Sequence, residues 1–183
     1  MKHSFRALML LSCLCLVVAC NNNPQKPQVA DAATPAVATV DSSAKKIEKN
    51  KATAIAAIEG FSNHNAQAVF KDIAPDYVDY GDGLGPAMKN KDSLITMVGT
   101  FFKAFPNMKA DNITAMADGN RVAVFATWTG KFTGELMGMK PTGKSFKYDD
   151  VDIFTFNDAG QLTSHRGTQS MQTVSLQVGM PAK

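Results

Sequence analysis

Three stretches decide the fold: RVAVFATWTGKFT (residues 121–133), KSFKYDDVDIFTF (144–156) and QLTSHRGTQSMQT (161–173). Each is rich in Val, Phe, Thr or other β-branched and aromatic residues, and turn chemistry separates them: ELMGMKPTG (135–143) and NDAG (157–160). Such runs, bounded by Gly, Pro, Asn and Asp, form strands. Just upstream, ITAMA (113–117) runs into Asp118-Gly119-Asn120, a tight-hairpin signal. The second half of the chain is therefore read as consecutive antiparallel strands. In residues 121–133 both faces carry apolar side chains: Val122, Val124, Ala126 and Trp128 on one, Ala123 and Phe125 on the other. A sheet with helices on one side and a pocket or subunit contact on the other explains that pattern.

Outward from the strands, the first half reads as helical. Ile47, Ile55, Ile58 and Phe61 fall near one face of a 3.6-residue period, with Asp41, Ser42 or Ser43 as candidate caps. A second short helix is expected over 66–73, ended by Pro75, and a short strand over 76–80. GDGLGP (81–86) is a loop. A third helix is expected over 92–104, with Leu94, Met97, Val98, Phe101 and Phe105 on its apolar face. Helices followed by consecutive strands make an α+β domain.

The chain has 183 residues, 45% hydrophobic and 19% charged, which suits one globular domain and excludes collagen-like, coiled-coil and wholly disordered chains. Residues 1–19 read as a removed leader: a basic start at Lys2, His3 and Arg6, then an uncharged, mostly apolar run over 7–19. That run is shorter than the about 20 residues a membrane-spanning helix needs, and fits a secretory signal peptide. Its end, Val17-Val18-Ala19-Cys20, resembles a bacterial lipobox, in which cleavage leaves a lipidated Cys20 first. Cys13 and Cys15 would leave with the leader, so lipidation also explains the one remaining cysteine. Several acyl chains on Cys20 would anchor the domain to a membrane. By resemblance to the sorting rules of Gram-negative lipoproteins, a residue other than Asp after the Cys, here Asn21, implies the outer membrane, on the periplasmic side of the cell envelope. Residues 20–44 carry three prolines and no aromatic, Leu or Ile, and read as a flexible tether; 45–183 is the folded domain. Without Lys2 and Arg6 the balance is 17 basic to 16 acidic residues, with no basic run, so nucleic acid is not an expected partner.

Residues 105–146 carry a series of short motifs. They are Phe105-Pro106-Asn107, Asp118-Gly119-Asn120-Arg121-Val122, Trp128-Thr129-Gly130 with Gly134, and Gly138-Met139-Lys140-Pro141-Thr142-Gly143-Lys144. Val151-Asp152-Ile153-Phe154, Asp158-Ala159-Gly160-Gln161-Leu162 and Leu176-Gln177-Val178-Gly179 follow in order. Together they resemble the SnoaL-like polyketide cyclase, or ester cyclase, family. The resemblance implies the nuclear transport factor 2-like fold: a strongly curved antiparallel sheet wrapped with N-terminal helices into a cone with one deep pocket. It also implies a homodimer or higher homo-oligomer formed through the sheet.

In that family an Asp on the last strand is the general acid/base. At the matching position this chain has Ser170, and Arg166 stands where the family has Trp; Tyr80 stands about where it has His. A serine hydroxyl is too weak an acid to replace the carboxylate unaided. Asp150 and Asp152, two apart on one strand, share a face with Tyr148 and Phe154 and lie about 7 Å apart. Such a pair can have its pKa values pushed apart into an acid and a base. Tyr80 or Arg166 could steady an oxyanion. His165 is a further candidate for the site, and Trp128 for its wall. With His64 and His165 the only histidines beyond the leader, no metal-ligand spacing exists, and no cofactor is expected.

Three functions follow. The first is an envelope lipoprotein binding a small, largely apolar or carbonyl-containing molecule in its cone without the usual catalytic Asp. The second is an active cyclase-, isomerase- or hydrolase-type enzyme using Asp150 and Asp152. The third is a non-catalytic oligomerisation module.

Overall fold

A computed structural model of the protein describes residues 36–180. The expected leader at 1–19 and lipidated Cys20 lie outside these residues. Four helices, α1 (Ala36–Ser62), α2 (Ala66–Val69), α3 (Lys91–Ala104) and α4 (Met171–Val178), accompany five strands. The strands are β1 (Ile73–Asp79), β2 (Lys109–Asp118), β3 (Arg121–Lys131), β4 (Ser145–Phe156) and β5 (Leu162–Gly167). They form one curved sheet in the order β1-β5-β4-β3-β2. The architecture is the expected α+β cone.

The β2–β3 hairpin closes where the sequence places it, Asp118 pairing with Arg121, and Gly119 supplies a positive φ of 57° at the first loop position. Between Asp111 and Thr114 the register slips against β3 and Asn112 takes φ 56°, a bulge that bends this edge of the sheet. Two glycines of the Trp-x-Gly-x-x-x-Gly motif are required by close approach. A side chain at Gly130 would meet the Phe146 ring at 2.6 Å, and one at Gly134 would collide with the Lys103 carbonyl. That contact lets Gly134 N–H donate to Ala104 O, stitching the β3–β4 connection to the end of α3.

Several expectations are corrected. α1 starts at Ala36, inside the segment read as a tether, so Asp41, Ser42 and Ser43 are interior rather than caps. α2 ends at Val69 and Pro75 lies within β1, which is tolerable because β1 is an edge strand needing fewer backbone donors. The sheet is not wholly antiparallel: β1 pairs parallel with β5. The last strand stops at Gly167, and residues 171–178 are α4, ended by Gly179 in the left-handed conformation.

The core lies between the helices and the inward face of the sheet. α3, capped by the Asn90 side chain accepting from Ser93 N–H at 2.8 Å, buries Leu94, Val98 and Ala104. At one end Phe105 meets Phe132 and Phe146, with ring centroids 5.4 Å apart in each pair. That end is filled with side chains.

Candidate active site

Toward the other end the interior stays open as a cavity of about 320 Å³. The strand alternation builds its sheet wall. β3 brings Trp128, paired with Tyr148, and β4 brings Tyr148, Asp150, Asp152 and Phe154 on one face. β5 brings His165 and Gly167, set opposite Phe154 and Asp152 respectively. α1 and α3 close it with Ala57, Ile58, Phe61, Val98 and Phe101. Most of the wall is hydrocarbon and aromatic.

The polar end is built on His165. Its Nε2 lies 2.9 Å from Asp152 Oδ1, and its Nδ1 lies 3.2 Å from Asp79 Oδ2. Parallel pairing sets Asp79 beside His165 and so creates the second contact. Asp79 is further held by Gly81 N–H at 2.8 Å and by the Tyr77 hydroxyl at 3.1 Å. A neutral imidazole has a single N–H, so two facing carboxylates favour the imidazolium. Burial opposes that charge, but Asp152 and Asp79 outweigh it and push His165 up to about 10. Burial also acts to raise Asp79, yet His165, Gly81 N–H and Tyr77 together hold it below the usual carboxylate value.

Asp152 goes the other way. Burial raises its pKa, the bond and charge of His165 only partly oppose this, and the charges of Asp150 and Asp79 add to the rise. Its Oδ2 is buried with no hydrogen-bond partner. A carboxyl with raised proton affinity and an uncommitted oxygen, in an apolar cavity, is equipped to give and take a proton.

Asp150 is differently occupied. Its Oδ1 accepts from Thr168 N–H at 3.1 Å, the Thr168 hydroxyl at 2.9 Å and Gln169 N–H at 2.9 Å. It therefore fixes the turn from β5 into α4 while still lining the cavity. Burial, with the charges of Asp150 and Asp152, raises the Tyr148 hydroxyl, so it stays protonated as a donor.

Of the candidate residues, Asp150, Asp152, His165, Ser170, Trp128, Tyr148 and Phe154 all line the cavity. Ser170 does so from the start of α4 rather than from a strand, and its side chain makes no capping hydrogen bond. Tyr80 and Arg166 are corrected: both are exposed, outside the lining, with the Arg166 guanidinium 5.4 Å from the centre of the Tyr80 ring. The reason is strand parity, since Tyr77 and Asp79 take the inward face of β1 and the residue after Asp79 points away. Asp79 and Tyr77 are the residues that sequence reasoning missed. Their two-residue spacing in 76–80 was the available signal. Among the described residues no group of three or more His, Cys, Asp or Glu is arranged to hold a metal ion.

The family model described as SnoaL-like polyketide cyclase matches residues 52–178. The chain belongs to this family. Solved structures agree on the fold. AclR, a candidate hydroxylase from Streptomyces galilaeus, superposes with TM-score 0.63 at 24% identity, covering 74% of this chain and 99% of its own. A candidate polyketide cyclase from Xanthomonas campestris gives 0.65 at 18% identity, covering 73% and 98%. IdmH, a candidate polyketide cyclase from Streptomyces antibioticus, gives 0.58 at 22% identity, covering 71% and 98%. No curated protein matches the chain.

Proposed function

We propose that this SnoaL-like domain catalyses proton transfer at a carbon next to a carbonyl in a small, largely apolar molecule, with Asp152 as the acid/base. The observation that carries this is Asp152 on the wall of an aromatic cavity, with Oδ1 braced by His165 and Oδ2 buried without a partner. Asp152 removes the carbon-bound proton, and the electron pair moves into the carbonyl. Tyr148 lines the same wall, and its hydroxyl donates to the resulting enolate oxygen. The proton then returns at another carbon, or the enolate closes on a second carbonyl. His165, steadied by Asp79, holds the carboxyl in place and sets its proton affinity.

The test is hydrogen–deuterium exchange at the α-carbon of cyclic ketones and β-keto esters in D₂O, followed by NMR. Exchange above buffer, cut at least about 100-fold by Asp152→Asn, is expected. No exchange above buffer, or equal exchange by the variant, overturns the reading. Carriage of a ligand without turnover is the second reading, and Ser170 at the family's Asp position favours it.

Two further parts of the proposal rest on sequence and surface. Residues 2–20 support an outer-membrane lipoprotein on the periplasmic side, tested by acyl-chain labelling that Cys20→Ala abolishes. Met116 and Phe125, 69% and 37% exposed on the sheet, support a homodimer through that face, tested by native mass spectrometry.

A further inference from the structure

We propose that Ser170 is a specificity residue: its hydroxyl, with the Gln169 side-chain amide, hydrogen-bonds a second, uncharged oxygen group of the substrate, one ring away from the reacting carbon. The inference rests on the reading that the cavity takes a small carbonyl compound, and it names a further feature of that compound.

Ser170 stands at the position before the first residue of α4, yet its side chain makes no capping hydrogen bond. A serine there ordinarily accepts from a backbone N–H of the first helical turn. Here those donors are served by other groups. Thr173 N–H donates to the Ser170 carbonyl at 2.9 Å. Met171 N–H donates at 3.2 Å to Asp82 Oδ2, which reaches in from the 81–86 loop. The Ser170 hydroxyl is thus released from the helix, in a residue that lines the cavity. Gln169, beside it in the lining, is in a similar state. Its Oε1 accepts from the Thr173 hydroxyl at 3.2 Å, which leaves the NH₂ group as a donor.

The neighbouring polar groups have other work. Both oxygens of Asp82 accept backbone N–H groups, from Leu84 and Met171. Asp150 Oδ1 and the Thr168 hydroxyl hold each other at 2.9 Å. At this end of the cavity the Ser170 hydroxyl and the Gln169 NH₂ are therefore the uncommitted groups. Gln169 is exposed and Ser170 half-buried, so water serves both until a ligand covers them. An apolar ligand strips that water and leaves the two groups unpaired, which is unfavourable; a hydroxyl or carbonyl replaces it. Both groups are uncharged, and Gln169 N–H sets the Asp150 carboxylate beside them at 2.9 Å, which disfavours an anionic partner. Asp150 and Asp152 are two strand residues, about 7 Å, apart. Opposite substituents of a six-membered ring reach from one to the other, one end at Asp152 and the other at Ser170.

Calorimetric titration of the full-length protein with 6-hydroxy-2-tetralone and 6-methyl-2-tetralone separates recognition from shape, since the hydroxyl and the methyl are alike in size. A wholly apolar seat favours the methyl compound. The hydroxy compound is instead expected to bind about five- to tenfold tighter. Ser170→Ala breaks no capping bond, and it is expected to bring the ratio to about one or below. Ser170→Thr keeps a hydroxyl and is expected to keep the preference. Because each ratio is taken within one protein, a general loss of affinity does not imitate the result. A methyl compound that binds as tightly as the hydroxy compound, no binding of either, a preference that survives in Ser170→Ala, or one lost in Ser170→Thr as well overturns the proposal. Deuterium exchange on the same two ketones keeps the two readings apart. If the preference is missing while Asp152→Asn still abolishes exchange, the Ser170 contact falls and proton transfer stands. If the preference follows the Ser170 hydroxyl while exchange ignores Asp152, the reverse is true.

Discussion

Along the inward face of β4, the two ends and the middle are equally buried and chemically opposite. Phe146, Phe154 and Phe156 are 3%, 4% and 1% exposed, while Asp150 and Asp152 between them are 9% and 7%. At the Phe146 end, apolar rings interdigitate with Phe105 and Phe132, and the interior fills. In the middle, carboxylates need donors; Thr168, Gln169, His165 and the Val151 N–H supply some, and Asp152 Oδ2 is left without one. The cavity lies where the donors run out. One strand therefore carries both the packing that stabilises the cone and the unsatisfied polarity that gives it chemistry.

The largest expected effect tests the filled end. Phe105→Ala removes a fully buried ring from the aromatic cluster and is expected to cost about 3–5 kcal/mol in denaturant unfolding. A loss below about 1 kcal/mol would break the contrast by showing that this end is loosely packed.

At the polar middle, Asp152→Asn is expected to lower α-proton exchange at least about 100-fold, as measured by NMR. A residual rate within about threefold of wild type would move the chemistry elsewhere.

The third effect concerns the proton on His165. Folding raises its pKa from 6.5 to about 10, so the stabilisation is complete below pH 6.5 and is lost as pH climbs through about 10. Stability is expected to fall over that window by an amount on the order of 2 kcal/mol, shared as the proton is with Asp152 and Asp79. Thermal melts from pH 6.5 to 10 check this, and His165→Gln should flatten the profile. Parallel profiles for the two proteins would separate His165 from the effect.

The smallest is Tyr80→Ala. With Tyr80 stacked on Arg166 outside the cavity, the variant is expected to lose less than about 1 kcal/mol and to keep exchange within about threefold of wild type. A large loss of exchange would return Tyr80 to the site.

What the sequence made legible is what local patterns encode. The period-2 alternation of 144–156 put Asp150 and Asp152 on one face with Tyr148 and Phe154, and Asp118-Gly119-Asn120 gave the hairpin. What stayed hidden depends on partners distant in the chain. Nothing local in β1 says that it lies parallel beside β5, so the pairing of Asp79 with His165, 86 residues apart, was not available. Without it, the local pattern offers Tyr80, which has the opposite parity. The end of β5 was missed for a related reason. Val174 and Val178 are spaced as a helical pair and Gly179 marks a helix end, but the residues between Gly167 and Met171 carry no local break in the strand pattern. The helical start at Ala36 was missed because Ala, Val and Ser, small and weakly patterned, offered no apolar stripe.

The most direct measurement of the central claim is infrared difference spectroscopy of carboxyl protonation across pH, comparing wild type with Asp152→Asn. The expected result is a buried carboxyl C=O band that titrates clearly above the ordinary Asp value of 3.8 and vanishes in the variant. If no buried carboxyl band of the wild type titrates above the ordinary range of Asp and Glu, or if the band survives the substitution, Asp152 is not the proton carrier of this cavity.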